Sequence, residues 1–171
     1  DSLIYAKNIY NSSNQALNLI SDLLEWSRSQ TGKIKYQPEE FNLSEIIKGE
    51  IEYAIDTVNK KFIALEKIFP NNLMVKADKE MISAVLRNLI SNAAKFTHTG
   101  GVILIEAEDN PNEITVSIID NGVGISKEDI DKLFRLDYSY TTKGTEGEKG
   151  TGIGLMLCKE FIDKHVGKIW V

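Results

Sequence analysis

Asn88-Leu89-Ile90-Ser91-Asn92-Ala93-Ala94-Lys95-Phe96-Thr97 is the stretch on which the fold turns. Just before and within it, Ile82, Val85, Leu86, Leu89, Ile90 and Ala93 recur at helical spacing. They form one apolar stripe, so this helix packs on a core. Asn88, Asn92 and Lys95 fall at i, i+4 and i+7 and share a second stripe beside it. Asparagine is a mediocre helix former, because its side chain competes for backbone hydrogen bonds. Two of them in mid-helix leave two readings open. One is a solvated polar flank. The other is a metal site. Mg²⁺ takes hard oxygen ligands and keeps several waters and phosphate oxygens. A neutral amide carbonyl suits such a site when the negative charge comes from a nucleotide. Lys95, one turn on, can reach a phosphate as a point charge.

Two glycine blocks follow. Asp120-Asn121-Gly122-Val123-Gly124-Ile125 closes an apolar strand over 114–119. It reads either as a tight turn or as a base reader. In the second case a carboxylate at a buried strand end accepts a hydrogen bond from the exocyclic amine of adenine. Guanine carries a carbonyl there, so the contact also selects the base. Gly122 and Gly124 let the backbone approach a flat ring. Gly150-Thr151-Gly152-Ile153-Gly154-Leu155 opens the last helix and could aim backbone N–H groups at phosphate. It is not a Walker A loop, and the βαβ order of a dinucleotide fingerprint is missing. In this order, the three blocks together read as a Mg-ATP site.

The surrounding pattern is mixed α/β. A helix over 44–59 has Ser44 as candidate N-cap. Strands are expected over 62–69 and 73–76, then the helix from its cap Asp78 to about Phe96. Strands over 102–108 and 113–119 join at Asn110-Pro111-Asn112. Ser126 caps a short helix to Phe134. Residues 136–149 are polar and glycine-punctuated, a long loop of the kind that is functional or mobile in a compact domain. A helix over 151–166 and a strand beginning at 168 complete the chain.

Residues 2–30 contain no Gly or Pro. Leu3, Tyr10, Leu17 and Leu24 recur every seven residues, flanked by Ile9, Ala16, Ile20 and Leu23. That wide apolar face predicts a long helix in a multi-helix bundle, ended by Thr31-Gly32. Pro38 marks a domain boundary.

The chain has 171 residues, is 42% hydrophobic and carries a net charge of −5 with signs mixed. No basic stripe points to nucleic acid, and no apolar run suits direct membrane contact. The single cysteine, Cys158, fits a cytoplasmic setting and reads as a buried structural thiol. The chain opens in mid-helix pattern, so it reads as a piece of a larger protein that could itself be membrane-anchored.

The order and spacing of the blocks resemble the catalytic ATP-binding domain of sensor histidine kinases. Residues 88–97 look like the N box, 120–125 like the G1 box, Leu133-Phe134 like the F box and 150–155 like the G2 box. The resemblance covers residues 38–171. It implies a Bergerat-type α/β (α+β) two-layer sandwich, with a mixed sheet on one side and helices on the other, preceded by a bundle-forming helix. It makes Asn92 the Mg²⁺ ligand, Lys95 a phosphate contact, Asp120 the adenine reader and residues 135–149 an ATP lid. Asn88, Asn92 and Lys95 become the catalytic group. Phe96, Gly122, Gly124, Ile125, Phe134, Gly150, Thr151, Gly152, Ile153, Gly154 and Leu155 complete the ATP site. Residues 1–37 resemble the second helix of the dimerisation and phosphotransfer hairpin plus a linker. This implies a homodimer through a helix bundle and relay to the receiver domain of a response regulator.

Two departures stand out. The acceptor-histidine block is absent. His98 sits in a polar turn, and His165 closes the last helix, where its charge would favour the helix dipole. Val166 stands where family members commonly have glycine. The chain also stops at Ile169-Trp170-Val171, where family members continue with one or two strands, so a bare sheet edge and lower stability are expected. Other Bergerat-fold ATPases place a glutamate one turn before the metal-binding asparagine, as base for a water. Here that position is Asn88, which cannot take a proton at neutral pH. Asn88 therefore favours phosphoryl transfer to a side chain. A Bergerat-fold ATPase, a Ser/Thr kinase and a nucleotide-binding docking module are the alternatives.

Overall fold

The computed structural model describes Tyr5, Ser13, Ile20 and residues 35–130, 132–134, 142–148 and 150–171. Tyr5, Ser13 and Ile20 are helical. The heptad positions Leu3, Tyr10, Leu17 and Leu24, the stop at Thr31-Gly32, and lid positions 135–141 and 149 lie outside the described residues.

The elements run β1 (Glu39–Asn42), α1 (Leu43–Lys60), β2 (Ala64–Ile68), β3 (Met74–Ala77), α2 (Lys79–Phe96), β4 (Val102–Asn110), β5 (Glu113–Asp120), α3 (Lys127–Ile130) and α4 (Gly154–Lys164). The strands form two sheets rather than one. β1 pairs with β3 antiparallel, Phe41 opposite Val75. β4 lies between β2, parallel to it, and β5, antiparallel to it. The three-stranded sheet is therefore mixed, and the α/β two-layer expectation holds. β1 escapes sequence reading because Glu39-Glu40-Phe41-Asn42 offers one apolar residue and pairs with a distant strand.

Alternation builds the sheet side of the core: Ile103, Ile105 and Ala107 of β4 are buried. Ile47, Ile51, Ala54 and Val58 of α1 and Leu86, Ile90, Ala93 and Ala94 of α2 cover them. Each large aliphatic buried this way contributes about 1.5–3 kcal/mol. On its other flank α2 offers Met81 and Val85 to Leu157, Cys158 and Phe161 of α4. Cys158 is buried there, as expected. With both flanks covered, the strip of α2 that remains carries Asn88, Asn92 and Lys95, each half-buried.

The helix ends refine the sequence reading. Asn42, not Ser44, caps α1: its Oδ1 accepts from Ser44 N at 3.1 Å and from Leu73 N at 3.0 Å. Ser44 is buried and donates its hydroxyl to Pro70 O at 2.6 Å. Asp78 caps α2 as expected, accepting from Met81 N at 3.1 Å. Of the helix expected over 126–134, the described residues show helix over Lys127–Ile130 and a turn over 132–134. Its start is as read, with Ser126 Oγ accepting from Asp129 N at 3.2 Å. α4 begins at Gly154 instead of Thr151, because Gly152 has φ +76 and breaks the helical path. Residues 168–171 form no strand; they join neither sheet, and a strand exists only by pairing.

α1 and α4 both end in a Schellman pattern. Ile63 N donates to Val58 O, and Gly167 N donates to Ile162 O. The left-handed residue is Phe62 (φ 51) in one and Val166 (φ 58) in the other. Glycine ordinarily holds this position, so both side chains impose local strain. Phe62 also delays β2 to Ala64.

Candidate functional site

Asn92 Nδ2 donates to Asn88 Oδ1 at 3.0 Å. This bond uses the nitrogen of Asn92 and leaves its carbonyl oxygen available for a cation. Asn88 in turn lies against the glycine loop. A Cβ built on Gly154 would fall 2.1 Å from Asn88 Nδ2, so only glycine lets the start of α4 come this close. Lys95 reaches the other end of the loop: a Cβ on Gly150 would lie 2.9 Å from its Nζ. The N-box stripe and the G2 loop are thus in contact at both ends. α1 and α2 carry side-chain caps, whereas α4 has none, and its first turn holds no acid. Its N–H groups and positive dipole end are placed to receive an anion.

The G1 turn joins the far end of α2 through backbone. Val123 N donates to Phe96 O at 3.2 Å. Gly122 sits so close that a Cβ there would lie 2.3 Å from the same oxygen. Asn121, on which sequence reading placed no role, holds the end of β5: its Oδ1 accepts from Val102 N at 2.8 Å. Asp120 Oδ1 accepts from Gly122 N at 2.9 Å. Among the described residues, Oδ2 has no hydrogen-bond partner. Asp120 is exposed, which corrects the expectation of a buried strand end: β5 runs out of the core by Ile119, itself 50% exposed. Ile125 is exposed and Phe134 half-buried, and they offer apolar surface instead of hydrogen bonds. Gly124 takes φ +67.

The C-terminal end of α2, around Lys95, contains residues that sequence reading missed. Lys61 is buried, its side chain only 1% exposed. Its Nζ donates to Ala94 O at 3.0 Å and Lys95 O at 2.9 Å, capping the last carbonyls of α2. It also contacts Thr145 Oγ1 at 2.8 Å and Glu148 Oε1 at 2.7 Å. Thr145 N donates to Lys95 O at 3.1 Å. Residues 142–148, the described part of the expected lid, are therefore attached to the end of α2. Burial lowers the Lys95 pKa; Glu148 pulls it up and Lys61 pushes it down, leaving it below the usual lysine value. Burial raises the Glu148 carboxyl. The hydrogen bond from Lys61, backbone N–H groups and the Lys61 charge outweigh that, so it lies below its usual value. No local sequence pattern marks Lys61, because the partners of its ammonium lie 33 or more residues away.

The two histidines separate clearly. His98 is exposed in the turn after α2. His165 Nδ1 lies 2.7 Å from Phe161 O, and Nε2 accepts from Asp78 N at 2.9 Å. Both ring nitrogens are occupied, so His165 is a bridge from α4 to the cap of α2. Its place at the C-terminal end of α4 is as read, and its ring meets a carbonyl of the last turn. Tyr36 packs edge-on against the ring, and Gln37 N donates to Asp78 Oδ2 at 2.8 Å. The expected domain boundary at Pro38 thus sits beside this bridge. No helix among the described residues is long and apolar enough to cross a membrane.

Residues 77–171 match the family described as histidine kinase-, DNA gyrase B- and HSP90-like ATPases. The adaptive-response sensory kinase SasA of Gloeothece citriformis is 34% identical over 90% of this chain and 39% of its own length. The chain spans as little as 14% of other curated relatives. The nucleotide-free catalytic domain of histidine kinase ThkA is 35% identical, with a TM-score of 0.69 over 78% of this chain and 87% of that one. ThkA in complex with the response regulator TrrA is 28% identical, with a TM-score of 0.75 over 97% of this chain and 46% of that one. The chain belongs to this nucleotide-binding ATPase family and, within it, is the catalytic domain of a sensor histidine kinase.

Proposed function

We propose that this chain binds Mg-ATP between α2 and the glycine loop and transfers the γ-phosphoryl group to a histidine on a helical hairpin. The observation that carries this reading is the Asn92–Asn88 hydrogen bond at 3.0 Å. It commits the Asn92 nitrogen, leaving the carbonyl oxygen for a cation, and leaves Asn88 an oriented amide with no basic role. Asp120 Oδ2 accepts from the adenine amine, Lys95 meets a phosphate, and the uncapped start of α4 receives another. Asn92 Oδ1 would hold Mg²⁺ together with phosphate oxygens, whose charge the ion would neutralise. A neutral imidazole already offers a nitrogen lone pair, so the attack needs positioning and charge neutralisation and no protein base. Asn88 cannot activate water, which favours transfer to the hairpin over hydrolysis.

In this reading residues 1–37 are the second hairpin helix and linker, and 38–171 the catalytic domain. The hairpin forms a homodimeric bundle in the cytoplasm, and a receiver-domain aspartate takes the phosphoryl group. The response regulator bound to ThkA supports this last partner by similarity. The test is incubation with labelled Mg-ATP and a hairpin bearing the acceptor histidine. Acid-labile, base-stable label on the hairpin is expected. The chain alone should stay unlabelled, because both His165 nitrogens are engaged and His98 stands in a polar turn without the acceptor-histidine block. Nucleotide binding without transfer to the hairpin would favour the docking-module reading instead.

A further inference from the structure

Lys61 performs three attachments at once. Its backbone N–H donates to Thr57 O at 3.0 Å and closes α1. Its ammonium caps α2 through Ala94 O and Lys95 O. The same ammonium holds Thr145 and Glu148. Glu148 is equally committed. One carboxylate oxygen meets Lys61, and the other accepts from Glu146 N at 2.8 Å. Its carbonyl accepts from Gly144 N at 2.8 Å. Residues 144–148 are thus folded into a closed turn by Glu148 and fastened to α2 by Lys61. Thr145 also attaches directly, its N donating to Lys95 O at 3.1 Å and its Oγ1 to Thr97 O at 2.9 Å.

Lys95 lies inside this arrangement. A Cβ on Gly144 would fall 2.6 Å from Lys95 Cγ, so the turn lies flush on the lysine stem. The ammonium ends beside Gly150 and 4.6 Å from the Phe96 ring centroid. A long lysine side chain ordinarily samples many rotamers, and ordering it costs free energy. Here the turn supplies a wall along the stem before any ligand arrives.

We infer that Lys61 and Glu148 are positioning residues, a buried clip that holds residues 144–148 against α2 and thereby fixes Lys95 for the polyphosphate end of a nucleotide. This rests on the nucleotide site proposed above. Neither Lys61 nor Glu148 bonds to Asp120 or to the G1 turn, which has its own backbone anchor on Phe96 O, so loss of the clip should spare recognition of the base. It acts through Lys95, so its effect on polyphosphate should vanish when Lys95 is already gone.

The experiment uses the full chain with Lys61→Met, Glu148→Gln, Lys95→Ala and the double variant Lys95→Ala/Glu148→Gln. Glu148→Gln keeps the fold accessible if Lys61→Met does not, because the Glu148 side chain is 33% exposed. Adenosine, ADP and ATP affinities are measured for each, together with amide exchange without nucleotide. Lys61→Met is expected to weaken ADP and ATP roughly tenfold, Glu148→Gln severalfold, and adenosine less than twofold. Exchange at Gly144 and Thr145 should quicken in both. The double variant should bind ADP no worse than Lys95→Ala. Equal losses for adenosine and ADP in folded protein, additive losses in the double variant, or unchanged exchange would overturn the clip and leave the nucleotide site standing. A wild-type chain that binds none of the three nucleotides would overturn both.

Discussion

At the base end of the site, Asp120 and its neighbours face solvent. The G1 turn there is held by backbone, with Val123 N on Phe96 O and Gly122 too close to that oxygen for any side chain. At the phosphate end, Lys61 is 1% exposed, and a lysine–glutamate pair joins segments far apart in the chain. In the proposed reading the difference matches what each end would hold. A flat base needs one fixed acceptor and open space beside it. A polyphosphate would meet Lys95, whose half-burial leaves its charge less screened by water. The same burial pushes Lys95 below its usual pKa, and Glu148 partly restores it.

Asp120→Ala should break the base end with the largest effect. Losing one charge-assisted hydrogen bond of ~1.5–3 kcal/mol should weaken adenosine, ADP and ATP alike by roughly 10–100-fold. Preference over GTP should fall with it; titration of each nucleotide reads this directly. At the phosphate end, Gly154→Ala would force Asn88 aside, since the new Cβ would lie 2.1 Å from its Nδ2. Mg-ATP affinity should fall about tenfold while adenosine binding holds, because the displaced Asn88 no longer orients Asn92.

Glu148 sharpens the comparison through pH. Its folded pKa is depressed, so it contributes stability that is complete above the ordinary carboxylate value. That contribution is lost as pH falls through the depressed value. Thermal melts of wild type and Glu148→Gln should therefore differ at neutral pH and converge in acid. A gap that widens in acid would contradict the clip. The smallest effect lies outside both ends. Val166→Gly relieves a β-branched residue at φ 58, with an expected gain of ~1 kcal/mol, or ~2–4 °C in Tm, and unchanged nucleotide affinity.

What could be read in advance tracks how local each feature is. The stripe of Asn88, Asn92 and Lys95 was visible because helical periodicity needs only a window of residues. Asp78 and Ser126 were visible as caps for the same reason. Ser44 was misplaced as a cap because Asn42, two residues earlier, fits the same rule and also reaches Leu73. β1 has no alternation of its own and exists through β3. Lys61 was invisible, since its partners Ala94, Thr145 and Glu148 come together only in the fold. The partner of His165, the N–H of Asp78, is likewise a tertiary contact.

The division of labour between the two ends is tested most directly by ATP affinity with and without Mg²⁺ in Asn92→Ala and Asp120→Ala. Asn92→Ala should lose most of its affinity only when Mg²⁺ is present and resemble wild type without it. Asp120→Ala should lose the same factor in both conditions. Equal metal dependence in the two variants would contradict the assignment of Asn92 to the cation and Asp120 to the base.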